Sequence, residues 1–600
     1  MRYFMFASRS LSIPISTAAQ QEALIQEFSY PLHFVQFYRK VFPIKGEMSK
    51  SQISAQHSML SLLLWALPVL ATPLLSHSSS SLDARQATSA TVTLDYGTFV
   101  GVQNNTAGYT SWKGIRFADA PTGDLRWRAP IFPPSSNLGK VNADEFPKSC
   151  VSSAQSGSED CLFLNVFTPV STTPEDQLPV LMWIHGGGFQ SGSSKHFDPV
   201  ALMQSSAKPF VFVSIQYRLG DFGFLAGSEI EADGDLNAGL LDQRAAMRWT
   251  QQYIGLFGGD SSRVTIWGQS GGAGSVEFHL MANGGDSEGL FHAAMGDSPS
   301  LTPTPAASGD FLEALFTQYA SLAGCHDKSK TSALACLRKL RASQLTAAGA
   351  QLIQSQQRLA TLYNWAPSLD GNFIQERPVE AYKAGRFANI PVLFGSNTDE
   401  GMNWSANDPD PDANTSSSEA TEDTLFNFIQ AQYDSFTEDT FEDMLQLYPL
   451  SDYSNSINNQ GAQMYGELRY ICTASMIVQE ATRIGQTAYH YHYNNDHLGS
   501  FHEYELGGFF PGEPPHATYD DNDLALFDTM RQYWTSFVTS GVPEAKNAPT
   551  WEPAMNIPDL GASRRMLLQP APGEIMMEEI GDALASRCTA WHDLSSELTV

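Results

Sequence analysis

The sequence is short of positive charge. Thirty-five lysines and arginines stand against 64 aspartates and glutamates, for a formal net charge of −29. Such a surface repels phosphate backbones and anionic bilayers, which argues against nucleic-acid partners. The apolar run from Met59 to Ala71 is too short to span a bilayer comfortably, so no stable membrane insertion is expected. Paired C-x-x-C spacing is missing, which excludes the usual structural zinc sites, and no metal is expected. The six cysteines (Cys150, Cys161, Cys325, Cys336, Cys472 and Cys588) are even in number. By count alone they fit three disulfides made in an oxidising compartment, or six buried thiols. Internal repeats are absent, as is any Pro/Ser linker after residue 90, so residues 91–600 are expected to form one large domain.

Before that domain, the Met59–Ala71 run ends in small residues and is followed by a Ser-rich spacer through residue 90. This is the pattern of a secretory signal peptide displaced inward. Residues 1–58 then read as an upstream extension or n-region, with Met48 or Met59 as the natural start, and residues 59–90 as signal peptide and spacer. Secretion agrees with the cysteine count and with N-x-S/T sequons at Asn104, Asn403 and Asn414.

What the chain does have is a stretch from Arg263 to Leu280 around which the rest is organised. Val264, Ile266 and Trp267 read as a buried strand, and Ser275 to Met281 as the start of a helix. Between them Gly268-Gln269-Ser270-Gly271-Gly272 forms a G-x-S-x-G pentad in strand-turn-helix context. The glycines let the turn hold Ser270 in a strained conformation with its hydroxyl uncrowded, and the new helix aims free N–H groups at it. A chain with 46 glycines can show one such pentad by chance, so the flanking pattern carries the inference.

Upstream, an apolar strand beginning at Pro179 runs into His185-Gly186-Gly187-Gly188-Phe189. Residues without Cβ let successive N–H groups converge on one point, a nest for negative charge; a plain Gly-rich turn is the alternative. Phe210 to Tyr217 reads as the next strand. Leu241, Ala245, Trp249 and Tyr253, at steps of four, mark a helix that ends before Gly255. The order strand, helix, strand, Ser270 turn, helix is the grammar of a largely parallel sheet covered on both faces. Val92 to Val102 reads as an opening hairpin. Phe527, Met530, Trp534 and Phe537 read as a late helix stopping at Gly541. The acidic, Pro-broken stretch from Asn407 to Glu419 reads as a mobile surface loop.

Glu159-Asp-Cys-Leu-Phe-Leu-Asn-Val166, His185 to Phe189, Asn237-Ala-Gly-Leu-Leu-Asp-Gln-Arg244, Phe257-Gly-Gly-Asp260 and the pentad together resemble the type-B carboxylesterase/lipase family, which includes the cholinesterases and secreted fungal members. The resemblance runs from about Val92 to about Trp591. It implies an α/β-hydrolase fold and a serine ester hydrolase acting on a small-molecule ester. Carried over by position, it makes Ser270 the nucleophile and Gly187, Gly188 and Gly271 the oxyanion N–H donors. It also makes Glu400 the acid, in Pro391 to Gly401, and His502 the base, in His502 to Leu506. The order Ser, Glu, His suits this fold. Asp399 beside Glu400 is an alternative acid, while His490 and His492 read as structural strand residues and His279 lies too close in sequence to the nucleophile to be the partner this fold uses. The resemblance pairs Cys150 with Cys161, Cys325 with Cys336 and Cys472 with Cys588, and calls for no cofactor.

Two departures bear on substrate. The family usually carries Glu and Ala on either side of the nucleophile, whereas this chain has Gln269 and Gly271, so a carboxylate favouring cationic substrates is missing. The loop from Val151 to Asp160 is too short for a large lid and has no aromatic residue, which disfavours emulsified triglycerides and choline esters. Soluble short-to-medium-chain or aryl esters are favoured, with a triglyceride lipase as the alternative. A non-catalytic adhesion protein on the same scaffold is disfavoured because all three site residues are retained.

Overall fold

The computed structural model describes residues 88–326, 332–355, 364–402, 404–513, 518–557, 561–562 and 564–600. Of the leader and spacer expected through residue 90, the part before residue 88 lies outside the described residues, as does the sequon at Asn403, and residues 88–90 belong to a strand instead of a spacer.

Alternation along the central strands fixes the layers. In the strands Leu178–Ile184 and Gly259–Gln269, Val180, Met182, Ile184, Val264 and Ile266 turn to one apolar core. Leu181, Trp183 and Trp267 turn to a second core on the other side of the sheet. A strand buried on both faces must be apolar at odd and even positions alike, which is why these segments are nearly continuous hydrophobic runs. The helices Ala238–Tyr253, Gly271–Gly285 and Cys472–Arg483 cover the first face, and Val200–Ser205 and Asp521–Ser540 the second.

The strands are β1 (Thr88–Leu94), β2 (Gly97–Asn104), β3 (Tyr109–Arg116), β4 (Lys140–Asn142), β5 (Phe163–Pro169), β6 (Leu178–Ile184), β7 (Val211–Ile215), β8 (Gly259–Gln269), β9 (Ala293–Asp297), β10 (Val392–Asn397) and β11 (Ala488–Tyr493). A two-residue pair, β12 (Asn556–Ile557) and β13 (Gly561–Ala562), stands apart; β14 (Arg564–Leu568) and β15 (Met576–Glu579) complete the main sheet. Its order is β1-β2-β3-β5-β7-β6-β8-β9-β10-β11-β14-β15, with β4 beside β2. Neighbours from β7 through β14 are all parallel, and the margins are antiparallel except for β4, which runs parallel to β2. This is the α/β class expected from the sequence.

The opening hairpin forms between β1 and β2, starting four residues before Val92 because Thr88 already pairs with Gln103. Trp249 and Tyr253 are buried on the helix Ala238–Tyr253, although Leu240 takes the fully buried place expected of Leu241. The acidic stretch after Asn407 is less solvated than its composition suggests. Asp408, Ala413 and Thr415 are buried, and the Thr415 hydroxyl bonds Ser405 at 2.5 Å and Asn458 at 3.1 Å. Disulfides join Cys150 to Cys161, Cys325 to Cys336 and Cys472 to Cys588, leaving no free thiol. Among the described residues no helix is long and apolar enough to cross a membrane.

Candidate active site

The carboxyl ends of β6, β8, β9 and β10 carry the site, as expected of an open parallel sheet. Strand β8 ends at Gln269, Ser270 turns, and the following helix begins at Gly271. Ser270 has φ 55° and ψ −124°, a strained conformation that its neighbours enforce. Its N–H donates to Asp297 O at 2.9 Å, and its carbonyl accepts from Gly274 N at 2.8 Å. The two outer glycines of the pentad are steric necessities. A Cβ on Gly268 would fall 2.4 Å from the Gly272 carbonyl carbon, and one on Gly272 would fall 2.1 Å from Ile184 O.

The triple-glycine turn lies directly against this elbow. A Cβ on Gly271 would stand 3.0 Å from both Gly188 N and Phe189 N, so these amides and the start of the helix share one small space. Gly187, at φ 101°, shapes the turn, and its carbonyl accepts from Gln190 N and Ser191 N. The Phe189 amide was not anticipated from sequence, since only the fold shows which N–H groups border Gly271. His185 stacks on Tyr217 at 4.5 Å, and burial lowers its imidazole to about 4, a structural role.

The Cys150–Cys161 loop packs onto the same turn. Gln155 Nε2 donates to Gly192 O at 3.0 Å while its Oε1 accepts from Gly192 N at 2.9 Å. Ser152 Oγ donates to Gln190 O at 2.6 Å. The loop therefore braces the glycine turn.

Glu400 follows β10 and is fully buried. Its Oε2 meets His502 Nδ1 at 2.5 Å, and its Oε1 accepts from Ser298 Oγ at 2.5 Å and from Asn397 N at 2.7 Å. With Nδ1–H donated to the carboxylate, the His502 Nε2 lone pair is left free to accept. Phe501, just before the histidine, is held by Asn397 Nδ2 on its carbonyl at 2.7 Å, and Tyr470 and Trp404 pack on the imidazole at 4.2 and 5.8 Å between centroids. Nε2 faces the Gln269 carboxamide nitrogen at 3.4 Å. Among the described residues the Ser270 hydroxyl makes no hydrogen bond; apo sites often hold such pairs apart until substrate binds.

The carboxylate on His502 Nδ1 is that of Glu400 and not of Asp399, the alternative acid. His492 lies between Thr398 Oγ1 and Glu578, and His279 bonds Gln243 at 2.7 Å. His490 is buried, and burial lowers it to about 3. Ser298, Asn397 and Tyr470 gave no sequence signal of a role here, while Gln269 stood out only as a departure bearing on substrate. Among the described residues one cluster has metal-ligand chemistry, His497 with Asp520 and Asp523, but its atoms already cap the helix Asp521–Ser540.

Two further buried acids adjoin Glu400. Asp297 accepts from Trp267 Nε1 at 2.8 Å, and burial together with the Glu400 charge pushes it up to about 8. Burial also raises Glu505, which accepts from Asn397 Nδ2. A carboxyl whose folded value exceeds its unfolded one contributes stability that is full below about 4 and is lost as pH rises through about 8. Asp297→Asn removes that dependence. The melting temperature of the variant relative to wild type should rise between pH 5 and pH 8 in scanning fluorimetry; a constant difference would contradict the assignment.

This architecture and elbow define a carboxylic ester hydrolase of the α/β-hydrolase class. The carboxylesterase family model matches residues 88–567, and the chain belongs to that family. It is 30% identical to a secreted triacylglycerol lipase LIP1 of Gibberella zeae, over 78% of this chain and 85% of that one. It is also 35% identical to lipase 1 of Geotrichum candidum, over 48% and 59% respectively, and 28% identical to the pyrethroid hydrolase Ces2e of Rattus norvegicus, over 77% and 82%. The crystal structure of Aspergillus niger EstA matches with a TM-score of 0.74 at 28% identity, covering 85% of this chain and 99% of that one.

Proposed function

We propose that residues 91–600 act as one secreted catalytic domain that hydrolyses soluble short-to-medium-chain or aryl esters by two-step acyl transfer. His502 takes the Ser270 proton at Nε2 as Oγ attacks the ester carbonyl, and Glu400 holds the imidazole tautomer and stabilises its charged form. The oxyanion is held by the amides of Gly187, Gly188 and Gly271, each worth on the order of 10²-fold in rate. The imidazolium then protonates the leaving alcohol. Water, deprotonated by the same nitrogen, releases the acid. The observation that carries this reading is the buried Glu400–His502 pair, its free nitrogen turned to the strained elbow that ends in Ser270.

The preference for dissolved esters is supported by the short Cys150–Cys161 loop. Its hydrogen bonds to Gln190 and Gly192 suit a fixed brace better than a lid that opens at an oil surface. The names of the fungal relatives favour the second reading, a triglyceride lipase. Both are tested by one series of p-nitrophenyl esters of increasing acyl length and one triglyceride, assayed below and above the solubility limit. The dissolved esters should give the highest kcat/KM, with no rise as substrate passes into emulsion. A sharp rise at that point would favour the lipase.

A further inference from the structure

The short loop closed by Cys150 and Cys161 meets the glycine turn through one side chain whose bonds are all used. Gln155 places its Nε2 between two carbonyls, Cys150 O at 2.8 Å and Gly192 O at 3.0 Å, while its Oε1 accepts from Gly192 N at 2.9 Å. These partners assign both ends of the carboxamide, since reversal would set an oxygen against two oxygens and an N–H against an N–H. Gly192, so held, closes the turn on itself. A Cβ on it would fall 2.4 Å from Gly186 O, and one on Gly187 would fall 2.3 Å from Ser191 O. Inside this closed turn the Gly187 carbonyl accepts from Gln190 N at 3.0 Å, Ser191 N at 2.9 Å and Ser191 Oγ at 3.2 Å. That carbonyl and the Gly188 N–H belong to one planar trans peptide group and point in opposite directions. Whatever fixes the carbonyl therefore aims the amide, whose nitrogen borders Gly271 at the elbow.

We propose that Gln155 is a positioning residue for the oxyanion site: by pinning Gly192 it closes the turn that aims the Gly188 N–H at the reacting oxygen. The proposal rests on the glycine amides stabilising the oxyanion, as set out above. Gln155 reaches the reacting atoms only in relay, holding Gly192, which places Ser191, which in turn holds the Gly187 carbonyl. Other bonds keep the middle of the turn attached, Ser152 Oγ on Gln190 O at 2.6 Å and Gly220 N on Phe189 O at 2.7 Å. Without Gln155 the turn thus stays on the protein but is released where Ser191 and Gly192 close it. An oxyanion donor works by being in place before the charge forms, and a displacement of about 1 Å costs on the order of 10²-fold in rate.

The test compares wild type, Gln155→Met and Gln155→Glu with Asp160→Asn, which breaks the Arg116 ion pair on the same loop without touching the turn. A soluble ester is used, and rates are expressed per site labelled to completion by a fluorophosphonate, so a partly folded variant is still scored. Both steps of acyl transfer pass through an oxyanion. For Gln155→Met, kcat and kcat/KM should therefore fall together by about 10- to 100-fold with KM nearly unchanged. Gln155→Glu keeps an acceptor for Gly192 N but turns an oxygen toward two carbonyls, and should fall at least as far. Asp160→Asn should match wild type. A trifluoromethyl ketone matched to the acyl chain, which forms an oxyanion on the serine, should lose affinity for the Gln155 variants by the factor seen in kcat/KM. The corresponding secondary alcohol, which forms none, should bind as before. A change of less than about threefold in both Gln155 variants, an effect on KM alone, or an equal loss in Asp160→Asn, as general loosening of the loop would give, overturns the proposal. Wild type that hydrolyses the ester but binds the trifluoromethyl ketone no more tightly than the alcohol is a different result: it overturns the oxyanion assignment, and this proposal with it.

Discussion

Ser270→Ala is expected to lower kcat/KM for a soluble ester by about 10⁴-fold or more while leaving the melting temperature nearly unchanged. The hydroxyl makes no hydrogen bond among the described residues, so its loss leaves no buried partner unsatisfied. The elbow does not depend on it either: Gly268 and Gly272 admit no Cβ, and the Ser270 backbone is held by Asp297 O and Gly274 N. A strained backbone with no conformational task for its side chain indicates a turn built for access to that side chain. Initial rates, active-site labelling and a thermal melt on the same preparation check this. Substantial residual turnover in a folded Ser270→Ala protein would mean that another group attacks the ester.

Glu400→Gln should cost about 10³- to 10⁴-fold in kcat. The carboxylate accepts from three donors at once: His502 Nδ1, Ser298 Oγ and Asn397 N. A carboxamide has one oxygen for these three and turns an N–H toward at least one of them. If that one is His502 Nδ1, the imidazole must place its proton on Nε2, where it can no longer receive one from Ser270. If the oxygen stays on His502, Ser298 and Asn397 meet a donor and the loop after β10 loses its anchor. The first arrangement predicts a large fall in kcat with little change in KM, because no substrate contact is altered. A fall of less than tenfold would assign the acid elsewhere, with Asp399 the first candidate by sequence. Asp399→Asn is therefore the control, and its effect should be slight.

The parts of this site that sequence reveals are those dictated by local sterics. Gly268 and Gly187 sit where backbone approaches backbone within a few residues, so the reason for each lies in its own neighbourhood, whereas Gly272 is required by Ile184 O on a distant strand. The central strands are legible for a similar reason, since burial on two faces forces continuous apolar runs. Glu400 and His502 are different. Acidic residues and histidines are common, and only family resemblance singled these two out, because their meaning depends on segments 102 residues apart meeting. Ser298 and Tyr470 were silent for a stronger reason, since a serine after a strand or a tyrosine in a helix is ordinary until tertiary packing supplies its neighbour. The acidic stretch after Asn407 shows the opposite error. Composition suggested solvent, but Asp408, Ala413 and Thr415 are packed by later helices that the stretch itself does not reveal.

The bond between Cys472 and Cys588 lies two residues from Tyr470, whose ring forms one wall of the His502 pocket. Arg587 grips Glu467 on the same turn at 2.7 and 2.8 Å. The helix Asp582–Asp593 is thus a rivet behind the His502 imidazole. Where thiols stay reduced that wall would be left unpinned, so the order behind His502 depends on the redox state of the compartment in which the chain folds.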